Sequence, residues 1–351
     1  MNRPRLWRTA LALLGALVAV GASCGVADAH GPVAPIASSY LARVGRVPAA
    51  LEAKVIDGDQ RMWLRVAPGA TVVVLDYRGA PYMRFSRAGV EVNQNSAMYY
   101  LNQTPVAWIP PSNLTRTTPA NWVRVSGGHD YGWHDGRLHA LATVALSPGA
   151  SFAGRWSIPV VVDGRLSVIS GGLWHSGSPS IMWFWPIVVL LACVLAAWRV
   201  RRPALDLLVA RVLAVAALIA IAIAGAGREL HGRPTVSVFA LITFAIIVVF
   251  VAWGLRRVLF QRPRYFSFFA IAFVAIWEGV ELLPTLWNGF VLAAVPALLA
   301  RAAAVLCLGC GAALLLLAYR LSDHAEPEPS DGGELGSEYE GEDAGAWESY
   351  A

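Results

Sequence analysis

Lysine is nearly absent from this 351-residue chain, where Lys54 stands alone against 27 arginines. Charged residues make up only 15% of the sequence, whereas soluble domains carry about 25%. With 56% hydrophobic residues and a mean hydropathy of +0.52, this scarcity points to a membrane protein. Cysteine is also sparse: Cys24, Cys193, Cys307 and Cys310 are the only four. None falls between Cys24 and Cys193, so that polar stretch has no internal disulfide and must fold on its core alone. No nucleophile elbow, Walker loop, dinucleotide fingerprint or zincin motif occurs, which leaves a non-catalytic reading. Beyond Arg320 there is no lysine or arginine, while ten acidic residues follow. Much of the remaining positive charge sits beside apolar runs, so membrane topology explains it better than nucleic-acid binding does.

The sequence divides into four parts. Residues 1–29 read as a signal peptide, with basic Arg3, Arg5 and Arg8 before the apolar run 10–22. Ala27-Asp28-Ala29 fits a small-x-small cleavage site, and cleavage there leaves His30 as the new N-terminus. Lipidation at Cys24 and an uncleaved anchor are the competing readings. Residues 30–178 read as an exported all-β antiparallel, sandwich-like domain. Its clearest hairpin is WSIPVVVDGRLSVISG (156–171), hinged on Asp163-Gly164. LEAKVIDGDQRMWLRV (51–66) is a second, and segments 71–77, 82–86, 122–126 and 139–146 are further strands. The Asn- and Pro-rich segment 93–120 reads as a long surface excursion.

Residues 179–320 read as an all-α transmembrane bundle of five helices, at about 181–198, 207–226, 235–254, 266–283 and 300–319. Pro296 and Arg301 suggest a separate interfacial helix over 286–299. Arg199, Arg201 and Arg202 follow the first span, and Arg256, Arg257, Arg262 and Arg264 the third. The positive-inside rule puts these loops in the cytoplasm and the β domain outside. Residues 321–351, rich in Glu, Gly, Ser and Pro, read as a disordered cytoplasmic tail.

Three sets of residues invite chemistry. GGHDYGWHDGRLHA (127–140) holds His129, His134 and His139. Strand parity separates His134 from the other two, but a turn near Gly132–Gly136 would bring His134 and His139 together. His134, Asp135, Arg137 and His139 form the candidate ligand-binding turn. Imidazoles suit copper, zinc or nickel, so His30, His134 and His139 form a candidate metal set, with copper the most concrete cofactor. A hydrogen-bonded sheet edge is the plain alternative. Second, Glu278 and Glu281 share one helical face, and with Arg301 and His231 they are expected to cluster beneath the β domain. Intramembrane ionisable groups often mark ion pathways; a structural ion pair is the alternative. Third, Cys307-Leu308-Gly309-Cys310 reads as small residues at a helix contact.

Four stretches carry a family resemblance: LDYRGAPYMRFSRAGVEVNQNS (75–96), YGWHDGRLHAL (131–141), WSIPVVVDGRLSVISGGLW (156–174) and ARAAAVLCLGCGAAL (300–314). Over most of residues 50–320 the chain resembles a group of uncharacterised actinobacterial multi-pass membrane proteins. The resemblance implies this same architecture. It also implies a Trp-His-Asp-His-Arg motif, in which Gly136 here replaces the second histidine. The resulting expectation is a cell-envelope protein whose exported domain binds a small ligand. A non-catalytic scaffold for an envelope partner, and a small transporter using Glu278 and Glu281, are the other readings.

Overall fold

The computed structural model describes residues 35–103, 107–144, 146–147, 149–197, 199, 203–232, 235–261 and 265–323. The signal-peptide reading, His30 and the acidic tail past Asp323 lie outside the described residues. The remainder is an antiparallel β-sheet domain followed by an α-helical region.

The β domain contains β1 (Ala37–Ser38), β2 (Tyr40–Arg46), β3 (Leu51–Ile56), β4 (Arg61–Val66), β5 (Val72–Leu75), β6 (Pro81–Ser86) and β7 (Gly89–Asn93). A short helix α1 (Ala97–Leu101) precedes β8 (Trp122–Ser126), β9 (Asp130–His134), β10 (Phe152–Val162) and β11 (Arg165–His175). One sheet runs β2-β11-β10-β5-β6-β7-β8 and a smaller one β3-β4-β9, with antiparallel neighbours throughout. Side chains alternate across a strand, so Trp156, Ile158 and Val160 of β10 face inward together. They meet Met62, Leu64 and Val66 of β4, so both sheets share one hydrophobic core. Each such fully buried aliphatic side chain contributes about 1.5–3 kcal/mol.

Turn chemistry fixes the registers. Asp163 (φ 47°) and Gly164 (φ 79°) form the β10–β11 turn, both with positive φ as a two-residue hairpin loop requires. The Asp163 carboxylate then accepts from the Thr71 N–H at 2.8 Å, tying this turn to the start of β5. Where β11 crosses Trp156, Gly171 is needed for space. A Cβ there would strike the Arg43 carbonyl and the Trp156 ring.

The helical region contains α2 (Trp185–Ala197), α3 (Pro203–Glu229), α4 (Val238–Phe260), α5 (Tyr265–Leu282), a two-residue strand β12 (Phe290–Val291) and α6 (Ala297–Asp323). Four of these helices, α3 to α6, are long and apolar enough to cross a membrane, and α2 is shorter. Helix α6 sits centrally against α2, α3 and α5. The small residues of the cysteine segment explain that position. Gly309 faces Ile187 and Leu190 of α2, while Gly311 faces Ala275 and Ile276 of α5. Cys307 and Cys310 are buried free thiols in this contact.

Two expectations change. Residues 139–143, expected within a strand over 139–146, are turns, because the chain reverses just after Asp135. The stretch before Pro296 is not an interfacial helix. It contains a 3₁₀ turn (Leu283–Leu286) and β12, which pairs with β1. That pairing seats the β domain on the helices. Leu292 N–H donates to the Ile36 carbonyl at 2.8 Å, and Ser39 Oγ donates to Asn288 Oδ1 at 2.9 Å. Ile36 and Ala37 are buried there among Leu282, Leu286, Ala303 and Val305.

Candidate functional site

The turn after β9 brings His134 and His139 together, with ring centroids 5.3 Å apart and planes tilted by 42°. Strand β9 runs unbroken through Gly132 and ends at His134, which is paired with Arg61 of β4. Asp135 then starts a 3₁₀ turn (Gly136–Leu138), its carboxylate accepting from the Arg137 backbone N–H at 3.1 Å. Leu138 is fully buried in the core and anchors the turn from below. His129 lies five residues upstream, where its carbonyl accepts from the Val66 N–H.

Asp135 and Arg137, both expected to read a ligand, are engaged with each other. The Asp135 carboxylate is wholly buried. Its Oδ1 accepts from Arg137 Nε at 2.9 Å, and its Oδ2 from Arg137 Nη2 at 2.8 Å. Oδ2 also accepts from Trp133 Nε1 at 2.9 Å. Arg137 Nη1 donates to the Leu75 carbonyl at 2.8 Å, and its guanidinium lies over the Tyr77 ring. A buried charge persists only when paired and fully hydrogen-bonded. This pair satisfies that condition and joins β9 to β5. Gly136 belongs to the same packing, since a Cβ there would approach the Tyr77 hydroxyl to 2.6 Å. A larger side chain at this position would therefore displace Tyr77.

The two imidazoles are the half-exposed part of the turn. They lie over the β3–β4 turn, where His139 Nδ1 is 3.4 Å from the Asp59 carbonyl. Burial holds the His134 imidazole below the usual histidine range, and neighbouring His139 pushes the same way; Asp135 partly opposes them. Burial raises the Asp59 carboxyl, against the attraction of His139. Burial thus disfavours the charged form of His134. Among the described residues, no group of three or more His, Cys, Asp or Glu side chains converges as a metal-binding set. The β3–β4 turn also leads to the seat of the domain: Gly58 accepts from the Ala42 N–H at 2.9 Å and packs on Ser38. Asp59 is the residue that sequence reasoning missed here. Only a turn Asp opposite the histidines in three dimensions marks it.

In the helical region, Glu278 is buried but its partner is not Arg301. Arg228 at the end of α3 donates through Nη2 to Glu278 Oε1 at 3.1 Å and through Nε to Glu229 Oε1 at 2.9 Å. Glu278 Oε2 is buried with no hydrogen-bond partner among the described residues. Glu281 is half-buried one turn along. Arg301 instead donates to the carbonyls of Thr285 (2.9 Å), Asn288 (3.2 Å) and Gly289 (3.0 Å). It therefore holds the loop carrying β12. The opposite end has a second buried pair, with Arg320 Nε 3.0 Å from Asp206 Oδ2. Asp206 in the first turn of α3 and Arg320 in the last turn of α6 each complement a helix dipole. A lone Asp in an apolar helix was the available signal for it.

No family model matches the chain, and no curated protein or solved structure matches it.

Proposed function

We propose that the chain is a non-catalytic cell-envelope membrane protein whose β domain is exported and binds a small ligand at the His134–His139 pair. The carrying observation is that the two rings meet over the Asp57-Gly58-Asp59 turn, which itself packs on the β1–β12 seat. Ligand occupancy at the pair is thereby in mechanical contact with the helices. Two adjacent imidazoles suit a borderline metal ion, and copper is the ligand class to test. They supply two ligands, and a free N-terminal His30 would supply the amine and imidazole that complete the set. The test is copper(II) titration of the purified full-length protein bearing its native mature N-terminus. One ion per chain is expected, with binding lost in His134→Ala/His139→Ala. No stoichiometric binding, or binding unchanged in that variant, overturns the reading.

One observation favours an interaction role as the second reading. Trp108 and Ile109 on the excursion between β7 and β8 are 54% and 92% exposed. Two adjacent exposed apolar side chains, one of them a tryptophan, suit a partner protein in the envelope. Trp108→Ser/Ile109→Ser is then expected to remove a co-purifying envelope protein while leaving the fold intact. A transporter role would instead rest on the unpartnered Glu278 oxygen, and unchanged ion flux in Glu278→Gln vesicles removes it.

A further inference from the structure

The end of the helices remote from the β domain carries a polar cluster chemically different from the histidine pair. Helix α4 packs against α3 and barely touches α5. Only 11% of its most apolar window is buried, against 44–61% for the other three long helices. Its outward face, including Leu259 and Phe260 near the last turn, is therefore open to the bilayer. Beside that turn lies a cavity of about 250 Å³ lined by Trp253, Arg256, Arg257 and Gln261. Arg211 of α3 reaches the same place, donating through Nη2 to the Gln261 carbonyl at 3.5 Å.

Two polar atoms at this cavity lack a partner among the described residues. Among the described residues, Arg211, Arg256 and Arg257 form no ion pair with a carboxylate. Arg211 Nε and Gln261 Oε1 are buried without a hydrogen-bond partner among those residues. Buried polar groups are normally paired, so each orphan calls for a missing partner. The orphans differ in kind: the guanidinium needs an acceptor, and the Gln261 oxygen needs a donor. A bare anion answers only the first. A tryptophan at the rim matches the aromatic belt at a membrane interface, and arginines there bind phosphate as a fork.

We propose that this cavity binds the headgroup of an anionic phospholipid that carries a hydroxyl donor, as phosphatidylglycerol does. The phosphodiester lies against Arg256, Arg257 and Arg211, the headgroup hydroxyl donates to Gln261 Oε1, and the acyl chains lie along the uncovered face of α4. The inference rests on the membrane reading of the helices and is independent of the histidine pair. The acidic segment 324–351 is the competing occupant on charge grounds, and its removal is one arm of the test.

The test uses the full-length protein in micelles with defined lipids, read by native mass spectrometry. One phosphatidylglycerol is expected to be retained in preference to phosphatidylcholine. Phosphatidylmethanol, an anionic diester without a headgroup hydroxyl, is expected to bind more weakly than phosphatidylglycerol, and Gln261→Leu to abolish that difference. Arg256→Gln/Arg257→Gln is expected to lower retention roughly 30-fold, from about 1 kcal/mol per basic residue at a membrane surface and about 1.4 kcal/mol per tenfold. Arg256→Lys/Arg257→Lys keeps the charge and retains most of the binding, which separates lost contact from lost fold. Equal retention of phosphatidylcholine, or full retention in the Gln double variant, overturns the proposal. Displacement of the lipid by inorganic phosphate alone at equal concentration also overturns it, because the site is then a free-anion site. Lipid binding that appears only after removal of residues 324–351 assigns the cavity to the tail and likewise overturns it.

Discussion

Arg137→Ala is the perturbation that tests most directly how the turn after β9 is held. In the native protein the Asp135 carboxylate accepts four hydrogen bonds, three of them from Arg137. Truncating Arg137 removes its two side-chain bonds and the countercharge, while Asp135 stays wholly buried. Only Trp133 Nε1 and the residue 137 backbone N–H then remain as donors. Breaking a buried pair by removing one partner costs about 3–5 kcal/mol. The bond from Arg137 Nη1 to the Leu75 carbonyl is lost as well, which puts the change toward the upper part of that range. At about 2–4 °C per kcal/mol for a domain of this size, the midpoint falls by roughly 10–15 °C. Thermal unfolding of the full-length protein in detergent, followed by near-ultraviolet circular dichroism, reports the loss through Trp133. Asp135→Leu/Arg137→Leu removes both charges together and is expected to be less destabilising than Arg137→Ala. A shift of under about 2 °C in Arg137→Ala, or a double variant worse than the single one, would refute the argument that this pair is internally satisfied.

Three further outcomes follow from the same geometry. The folded His134 titrates below its usual 6.5, so just below that pH the unfolded chain binds a proton that the folded chain refuses. Stability is therefore expected to fall as pH drops through that window, and His134→Gln to flatten the curve in a denaturant series taken at each pH. Asp59 is raised by burial, so its own contribution changes in a separate window above 3.8 and with the opposite slope. Arg228→Ala leaves Glu278 buried without its cation, an expected loss of about 3 kcal/mol or more measured by unfolding in mixed micelles; Glu278→Gln should cost less. Gly171→Ala drives a methyl into the Arg43 carbonyl and the Trp156 ring, with an expected cost of about 1–3 kcal/mol in thermal unfolding. A Gly171→Ala protein as stable as the wild type would mean that β11 and Trp156 are less closely packed than described.

Much of the architecture is legible in the sequence because its signals are local. Alternation along β10 and the Asp163-Gly164 pair predict the hairpin that forms. The apolar runs predict the four long helices, since spanning length is a property of one segment. The segment over 139–146 reads as a strand because its composition favours one; the buried Asp135–Arg137 pair overrides that preference by turning the chain. The expected helix before Pro296 fails for a similar reason. Residues 290–291 find a strand partner at Ala37–Ser38, some 250 positions away along the chain, and no local pattern encodes that meeting.

The candidate site divides in the same way. By itself the sequence determined which side chains were available: three histidines in fourteen residues, two glutamates one helical turn apart, and arginines at the helix ends. It determined the class of protein as well, because composition and run length need no partner. Only the tertiary structure decided which groups remain free to act. It joined His134 to His139 and left His129 apart, engaged Asp135 with Arg137, and gave Glu278 to Arg228 rather than to Arg301. The physical reason is that a buried charge must find its partner across space. Burial and partner are both set by how distant segments pack, so the polar residues that looked most reactive as text include those most firmly held in the fold.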